Sequence, residues 1–256
     1  MSTSTLASTW FRPRLPNPKA KLRLFCFPYA GGTSSIFNNW PRELSAEVEV
    51  CPVHLPGRES RFRERSFTRV GPLVETMAQA ISTLMDKPFA FFGHSMGAIL
   101  GFELIHLLQR EGRPLPFCFF ASGRSAPQKR LKTAQTFHLP ESEFIEQLRR
   151  LNGTPKEVLE HEELMGLMIP ILRADFEICE TYSYTPGPKL GCAITALGGA
   201  HDRDVPSSHL AGWRDHTDSI FSQYIFPGDH FFLHSAEKQL LHTLGQELAR
   251  LSPRSN

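Results

Sequence analysis

Several features typical of membrane, secreted or nucleic-acid-binding proteins are missing from this sequence of 256 residues. It has no run of the roughly 18 uninterrupted apolar residues that a helix needs to span a bilayer. Its start, rich in threonine and serine, lacks the basic segment followed by an apolar core that marks a secretory signal. The net charge of +2 is too small to favour a nucleic acid or a membrane surface as a partner. We therefore expect a soluble, cytoplasmic protein.

Cysteine usage gives no sign of a disulfide framework or a metal site. The five cysteines are an odd number, none forms a Cys-x-x-Cys pair, and four lie in apolar strand-like runs. Buried, reduced thiols explain this pattern better than disulfides or metal ligands do. A Walker loop and a GxGxxG dinucleotide fingerprint are also absent, so neither nucleotide chemistry competes with the motifs described below.

The sequence does contain a regular alternation of apolar runs and helical patterns. Runs with strand character lie at 21–27, 47–55, 88–92, 116–123, 192–197 and 222–226. Between them, apolar residues recur at helical spacing, as Leu73, Met77 and Ile81 do. Strands that are apolar on both faces and alternate with helices predict an α/β fold, a mostly parallel sheet flanked by helices. Because Pro52 cannot donate to a strand ladder, we expect the second strand near a sheet edge.

Two segments depart from this alternation. Residues 1–20 are polar and contain three prolines, so we interpret them as a loose lead-in. Residues 125–187 carry helical patterns and no obvious strand. An all-helical insertion of this kind is typical of a lid over an active-site edge, and a helical decoration without a gating role is the alternative. The predicted organisation is a core of residues 1–124 and 188–256 and a helical lid of residues 125–187.

The pattern Gly-x-Ser-x-Gly occurs between a strand-like run and a helical pattern. A strand, a sharp turn and a helix in this order lift a serine hydroxyl clear of the sheet, where it acts as a nucleophile. Gly93 and Gly97 have no side chains, so strand and helix close tightly around the turn. The sequence therefore predicts Ser95 as a nucleophile, with an inert structural turn as the alternative.

A nucleophilic serine needs a base beside it and a carboxylate that orients the base. In enzymes with this serine turn, the acid and then the histidine follow the serine along the chain. Asp202 and Asp204 follow the fifth strand-like run, and His230 follows the sixth. We predict His230 as the base, with His234 as its rival, and favour Asp202 over Asp204 as the acid.

The oxyanion formed at the serine requires two backbone N–H donors, one after the nucleophile and one from an earlier strand-to-helix loop. Met96 directly follows Ser95, and Ala30 precedes the pair Gly31 and Gly32 after the first strand. We predict Ala30 and Met96 as the donors. For the glycine pair, a simple tight turn is the alternative.

Five motifs, in one order, resemble those of the type II thioesterases that accompany nonribosomal peptide and polyketide synthetases. The motifs are FPYAGG (27–32), LPGRE (55–59), GHSMGA (93–98), NGTP (152–155) and GDHFF (228–232). The resemblance covers nearly all of the chain after residue 20. It implies an α/β-hydrolase fold with a helical lid, no bound cofactor, and hydrolysis of stalled or mis-primed acyl thioesters on the phosphopantetheine arm of a carrier protein. By the same resemblance, the positions that match the triad are Ser95, Asp202 and His230, with Ala30 and Met96 as oxyanion donors.

The partners implied by this resemblance are acyl or peptidyl carrier proteins, and nothing in the sequence demands more than a monomer. Because the family's carriers are generally acidic, Arg58, Arg61, Arg63 and Arg65 are candidates for docking one. The alternative is a solvated loop in which glutamates pair with these arginines. Other compatible functions are a medium-chain fatty acyl-carrier thioesterase, a general carboxylesterase and a non-catalytic scaffold that binds synthetase modules.

Overall fold

Six strands form one parallel sheet in the computed structural model, which describes residues 3–13, 15–129, 134–151, 153 and 156–253. In chain order the strands are β1 Leu22–Phe27, β2 Val48–Pro52, β3 Phe89–His94, β4 Cys118–Ser122, β5 Ala193–Gly199 and β6 Phe221–Phe226. Their order in the sheet is β2-β1-β3-β4-β5-β6. The predicted parallel sheet is confirmed, and β2 lies at its edge, as Pro52 predicted.

Helices connect the strands and flank the sheet. They are α1 Thr3–Trp10, α2 Trp40–Glu43, α3 Val70–Ile81, α4 Met96–Arg110, α5 Glu141–Leu151, α6 Lys156–Leu159, α7 Glu162–Thr181, α8 Ser207–Ala211, α9 Phe232–Ser235 and α10 Glu237–Leu251. Short 3-10 helices lie at Ser34–Phe37, Glu59–Arg61, Ser82–Leu84, Pro127–Lys129 and Gly212–His216. In the described part of the chain, no helix combines the length and the apolar character that crossing a bilayer requires.

The central strand β1 shows how the two faces of the sheet are filled. Phe25 and Phe27 belong to an apolar cluster that includes residues of α3 and α4. Leu24 and Cys26 belong to a second cluster, with residues of α2 and α10. All four side chains are fully buried. Because successive side chains of a strand point to opposite faces, a continuous apolar run fits a sheet that is covered on both sides.

The parallel register brings the carboxyl ends of the strands to one edge of the sheet. Phe27 of β1 pairs with Gly93 of β3, and His94 of β3 pairs with Ser122 of β4. The last two strands, β5 and β6, also pair up to their carboxyl ends. In open α/β sheets, ligands bind at this edge. The loops that hold the predicted serine, acid and histidine all begin there.

The segment between β4 and β5 is helical, as predicted. It contains α5, α6 and α7, and the described residues between 125 and 187 include no strand. These helices pack around an apolar cluster of their own, which includes Phe144, Leu148, Met165, Ile169 and Leu172. The helical segment therefore has a small core that is separate from the two clusters on the sheet.

The start of the chain differs from the predicted loose lead-in, because α1 packs against the core. Trp10 and Phe11 are only 2% and 1% exposed. Phe11 forms an isolated antiparallel bridge with Val53, and the Arg61 guanidinium carbon lies 4.2 Å from the centre of the Trp10 ring. The prediction rested on prolines and polar residues. It underestimated two aromatic side chains, whose burial stabilises the segment by about 2 kcal/mol each.

The segment 34–44 contains two short helices. The first is the 3-10 helix Ser34–Phe37, and the second is α2. Pro41 lies in the first turn of α2, where a helix does not need the N–H that proline lacks. Pro41 therefore fits the start of α2.

Four cysteines, Cys26, Cys51, Cys118 and Cys192, are buried free thiols. Burial raises the pKa of Cys51 and of Cys192 to about 12. These two thiols therefore stay protonated at neutral pH and pack as small apolar side chains.

Candidate active site

The turn between β3 and α4 holds Ser95 in a strained backbone conformation. Ser95 has a φ of 54° and a ψ of −108°, and a positive φ is uncommon for residues other than glycine. Its N–H donates to the carbonyl oxygen of Ser122 at 2.8 Å, which ties the turn to the end of β4. The Ser95 side chain is half-buried. This is the strand–turn–helix context that a nucleophilic serine requires.

The two glycines of the serine motif are sites of close backbone approach. A Cβ on Gly93 would overlap the carbonyl oxygen of Gly97, and a Cβ on Gly97 would overlap the carbonyl oxygen of Phe27. Neither position has room for a side chain, because β1, β3 and the first turn of α4 meet here. The motif therefore holds Ser95 at the end of the central strands.

His94, next to the proposed nucleophile, packs beneath the turn. Its side chain is fully buried, and its Nδ1 lies 2.9 Å from Ser122 Oγ. Burial, together with the nearby His230, lowers the pKa of His94 well below its ordinary value. The ring is therefore neutral at physiological pH and takes part in packing.

The loops after β5 and β6 bring Asp202 and His230 into direct contact, with 2.7 Å between Asp202 Oδ2 and His230 Nδ1. The other oxygen, Oδ1, accepts the N–H groups of Asp204 and Val205 at 2.9 and 3.1 Å. The Asp202 side chain is fully buried, and that of His230 is 21% exposed. Burial works to raise the pKa of Asp202, but the hydrogen bond and charge interaction with His230, together with the N–H groups of Asp204 and Val205, outweigh it and hold the pKa below its ordinary value. The carboxylate is thus charged and oriented by the chain toward the imidazole.

The alternative residues in these two loops lie elsewhere. The side chain of Asp204 is exposed. His234 Nε2 lies 2.9 Å from the hydroxyl of Tyr29. The structure thus places Asp202, and not Asp204, against His230.

Aromatic contacts join the loops after β1, β3 and β6. The Tyr29 ring centre lies 5.8 Å from that of His94 and 5.1 Å from that of Phe231. The rings of His94 and His230 are 5.2 Å apart. The hydrogen bonds among the described residues include none between Ser95 Oγ and His230, and such catalytic bonds are often long before substrate binds. The structure therefore brings the imidazole to the serine turn without a direct bond.

The two backbone N–H groups predicted as oxyanion donors belong to the segments that directly follow β1 and β3. Met96 is the first residue of α4, and the first N–H groups of a helix have no acceptor within it. Ala30 lies between β1 and Gly31, whose φ is 76°. Neither N–H donates in the hydrogen bonds that the described residues form. Both are therefore available to an acceptor in the site.

Sequence reasoning missed a buried ion pair behind the loop after β1 that carries Ala30, residues 28–33, called the Ala30 loop below. Arg58, in the loop after β2, and Asp175, on α7, form two N–O contacts of 2.7 and 2.8 Å. Their residues are only 4% and 2% exposed. One signal could have found the pair, because Asp175 lies on the same face of α7 as the apolar residues Leu172 and Ile178. A charged residue in an apolar helix face usually has a buried partner.

Two of the four arginines that were candidates for docking a carrier, Arg58 and Arg61, are buried and do not reach a partner's surface. Arg58 belongs to the ion pair just described, and Arg61 donates to the Glu64 carboxylate at 2.8 and 2.5 Å. Arg63 and Arg65 are exposed. The sequence did not distinguish the two buried arginines from the two exposed ones, because only tertiary contacts decide which guanidinium groups reach solvent.

The fourth motif of the predicted resemblance, residues 152–155, is covered only in part. Asn152, Thr154 and Pro155 lie outside the described residues. Gly153 is described, and a Cβ on it would overlap the ring of Phe231. The helical segment therefore reaches the residue that directly follows His230.

Comparison with known proteins identifies relatives of matching length. A family model described as a thioesterase domain matches residues 22–248. The gramicidin S biosynthesis protein GrsT of Aneurinibacillus migulanus is 42% identical over 248 residues, which make up 97% of each chain.

Solved structures match just as fully. The type II thioesterase BorB from the borrelidin biosynthetic cluster has a TM-score of 0.86 at 34% identity, over 94% of this chain and 98% of BorB. RedJ, a thioesterase from the prodiginine biosynthetic pathway in Streptomyces coelicolor, has a TM-score of 0.84 at 38% identity, over 97% of each chain. The parallel sheet with flanking helices is thus the α/β-hydrolase fold that the motifs predicted.

Proposed function

Because this chain belongs to the thioesterase family and is a hydrolase that acts on thioesters, we propose that it removes acyl groups from the phosphopantetheine arm of carrier proteins. Its relatives serve the biosynthesis of gramicidin S, borrelidin and prodiginine. Together with the five motifs shared with type II thioesterases, this favours carriers of a nonribosomal peptide or polyketide synthetase. The proposed role is editing, the hydrolysis of acyl groups that block an arm.

In the first half of the reaction, His230 Nε2 accepts the proton of Ser95 Oγ as that oxygen bonds to the thioester carbonyl carbon. The carbonyl oxygen becomes an oxyanion, which the N–H groups of Ala30 and Met96 stabilise. The C–S bond then breaks, and the sulfur of the arm leaves with the proton from His230. Asp202 orients the ring and stabilises its charged form. The product is an acyl ester of Ser95.

In the second half, a water molecule takes the place of the departed thiol. His230 accepts a proton from this water as its oxygen bonds to the ester carbonyl carbon. The same two backbone donors stabilise the second oxyanion. The bond to Ser95 Oγ breaks, Oγ takes the proton from His230, and the acyl group leaves as a carboxylic acid. The enzyme returns to its starting state.

One observation carries this assignment of roles: the 2.7 Å contact between Asp202 and His230 at the edge of the sheet where Ser95 is held. Three distant loops supply the parts, and the serine, acid and histidine follow one another in the chain order of this fold. A scaffold without catalytic activity has no need of a buried carboxylate directed at an imidazole.

The helical segment 125–187 is part of the proposal, as a lid on a core of residues 1–124 and 188–256. It has an apolar cluster of its own. Its Gly153 packs on Phe231, beside the proposed base. A segment that has its own core and touches the site is suited to covering a bound acyl chain.

Carrier docking involves the exposed part of the loop 58–65, which contains four arginines and is called the arginine loop below. Arg63 and Arg65 are exposed, and Phe62 between Arg61 and Arg63 is 51% exposed. An exposed aromatic ring beside two cations suits an acidic protein surface. The same loop carries Arg58, which contacts the Ala30 loop, so a carrier docked here lies near the site.

The proposed function is tested by the hydrolysis of a panel of acyl groups presented on carrier proteins and on free pantetheine. We expect carrier-bound substrates to have the higher kcat/KM. A strict preference for medium-length fatty acyl groups indicates service to a fatty acid synthase. Preference for small oxygen esters over all thioesters contradicts the proposal. Covalent labelling of wild-type protein by a fluorophosphonate, and its loss in Ser95→Ala, identifies the nucleophile.

A further inference from the structure

The loop that carries Ala30 is attached to a buried ion pair at two consecutive residues, Gly31 and Gly32. The Gly31 N–H donates to Asp175 Oδ2 at 2.7 Å. Arg58 Nη1 donates to the Gly32 carbonyl oxygen at 3.0 Å and to the same Asp175 oxygen at 2.7 Å. Gly31 N–H belongs to the peptide group directly after Ala30. The ion pair thus fixes the chain next to the proposed oxyanion donor.

Glu59, the next residue after Arg58, extends this attachment. Its Oε1 accepts the hydroxyl of Ser34 at 2.7 Å, and its Oε2 accepts the Ser34 N–H at 3.3 Å. Burial works to raise the pKa of Glu59, but hydrogen bonds from His54 and Ser34 outweigh it and hold the pKa at about 2. Glu59 has a φ of 50°, a strained value for a glutamate. Arg58 and Glu59, neighbours of opposite charge, therefore hold two nearby points of the chain, Gly32 and Ser34.

Helix α7 contacts the same loop through a second side chain. Leu172 lies one turn before Asp175, and a Cβ on Gly31 would come within 2.5 Å of its Cδ2. The helix thus reaches the loop with an apolar contact and a charged one. The conformation of the Ala30 loop consequently depends on where α7 lies.

Stability alone does not account for such a pair. Removing two charges from water costs several kcal/mol. A protein in which apolar residues of similar volume replace a buried ion pair is often as stable as the original or more stable. A bidentate pair, however, orients the groups bound to it far more narrowly than an apolar contact does. Here the oriented groups are the Gly31 N–H and the Gly32 carbonyl. Their orientation matters because an oxyanion donor must lie within a few tenths of an ångström of its working position.

We propose that Arg58 and Asp175 are positioning residues for the oxyanion donor Ala30, and that helix α7 sets the geometry of the oxyanion site through them. This inference rests on the proposed function of Ser95 and Ala30. It adds that the helical segment takes part in the chemistry by holding a backbone amide, beyond any role in covering the acyl group.

The test compares Asp175→Asn and Arg58→Lys with wild type, using 4-nitrophenyl butyrate and an acyl-carrier thioester. Lysine keeps the charge of Arg58 but lacks the planar fork that contacts both oxygens. We expect kcat to fall about 10- to 100-fold, somewhat less than the 10²- to 10³-fold typical of deleting a donor. KM should change by less than about threefold, because binding before the oxyanion forms does not use the donor.

A tetrahedral mimic separates positioning from general damage. An alkylboronic acid adds to the serine and presents an anionic oxygen to the oxyanion donors. We expect its inhibition constant to rise in each variant by the same factor as kcat falls. The double variant Arg58→Met with Asp175→Leu is expected to unfold at no lower temperature than the single variants, yet to have an equally low kcat. If the pair were merely structural, a double variant that keeps its stability would also keep its turnover. Retained stability with lost turnover therefore supports the positioning role.

The matched control is Glu49→Gln, which weakens the partly buried pair of Glu49 with Arg23. That pair, 2.7 Å long, joins β1 and β2 near their amino ends, opposite the site. We expect a lowered melting temperature and unchanged kcat.

Unchanged kcat in the folded variants, or an equal loss of kcat in the Glu49→Gln control, overturns the positioning role and leaves the thioesterase proposal standing. Conversely, wild-type turnover of the ester without turnover of the carrier thioester removes the proposed substrate. The positioning test still runs on the ester in that case.

Discussion

Asp202 Oδ2 lies 2.7 Å from His230 Nδ1. Backbone N–H groups fix the Asp202 side of this contact. The second oxygen of Asp202 is held by the N–H groups of Asp204 and Val205, so the carboxylate has no freedom to turn. Asp204, two residues later, is exposed and supplies only its backbone to this arrangement. The division of labour between the two carboxylates is therefore readily tested.

Replacing Asp202 with asparagine is expected to lower kcat for thioester hydrolysis by about 10³- to 10⁴-fold, because an amide favours the wrong imidazole tautomer and does not stabilise the imidazolium. Asp204→Asn keeps the backbone N–H and is the matched control, with turnover close to wild type. Initial rates on one acyl-carrier substrate measure both. A larger loss in Asp204→Asn than in Asp202→Asn contradicts the assignment.

The sequence was informative wherever function depends on local context. The serine turn was recognisable because Gly93 and Gly97 must be glycine, and the structure shows that a side chain at either overlaps the backbone. The edge position of β2 followed from Pro52 alone. The parallel sheet followed from apolar runs that fill both faces. In each case a residue or a short run constrains the local structure, whatever the rest of the chain contains.

The ion pair of Arg58 and Asp175 was not predictable in this way. Its partners are 117 residues apart, and no local pattern joins the motif that contains Arg58 to the helix that contains Asp175. The burial of Arg61 depends likewise on Trp10, which approaches it only in the folded chain. Sequence reasoning thus identifies the groups that carry out the chemistry more readily than those that hold them in place.

The stability of the protein is expected to fall between pH 6.5 and pH 4 through His216. Its side chain is buried, and burial, together with the nearby His106, lowers its pKa to about 4 from the ordinary value of about 6.5. Between these values the unfolded chain binds more protons than the folded one, so the free energy of unfolding decreases as the pH falls. Above pH 6.5 and below pH 4 this contribution is constant.

The variant His216→Gln isolates this effect from that of other titrating groups. The difference in unfolding free energy between wild type and variant should change by roughly 3 kcal/mol across this range, with the wild type losing more. Urea denaturation at a series of pH values measures it. A difference that stays constant with pH assigns the acid sensitivity to other groups.

Substitution of Gly97 by alanine is expected to destabilise the fold by roughly 2–4 kcal/mol, because the new Cβ overlaps the Phe27 carbonyl oxygen at the junction of strand and helix. Gly166→Ala is the matched control. Gly166 is an exposed glycine inside α7, with nothing near the added Cβ, so alanine should stabilise the helix by about 0.5–1 kcal/mol. Urea denaturation measures both. A Gly97→Ala protein as stable as wild type contradicts the close approach.

Charge reversal of Arg63 and Arg65 to glutamate is expected to raise KM for carrier-bound substrate about tenfold, with little change for acyl-pantetheine, because only the carrier presents an acidic surface to the loop. Added salt should weaken the wild-type preference for the carrier in the same way. Lys19→Glu with Lys189→Glu is the control. It reverses the same charge at two exposed positions that precede β1 and β5, at the opposite edge of the sheet. Equal losses in the two double variants indicate attraction by net charge, without a docking surface at the arginine loop.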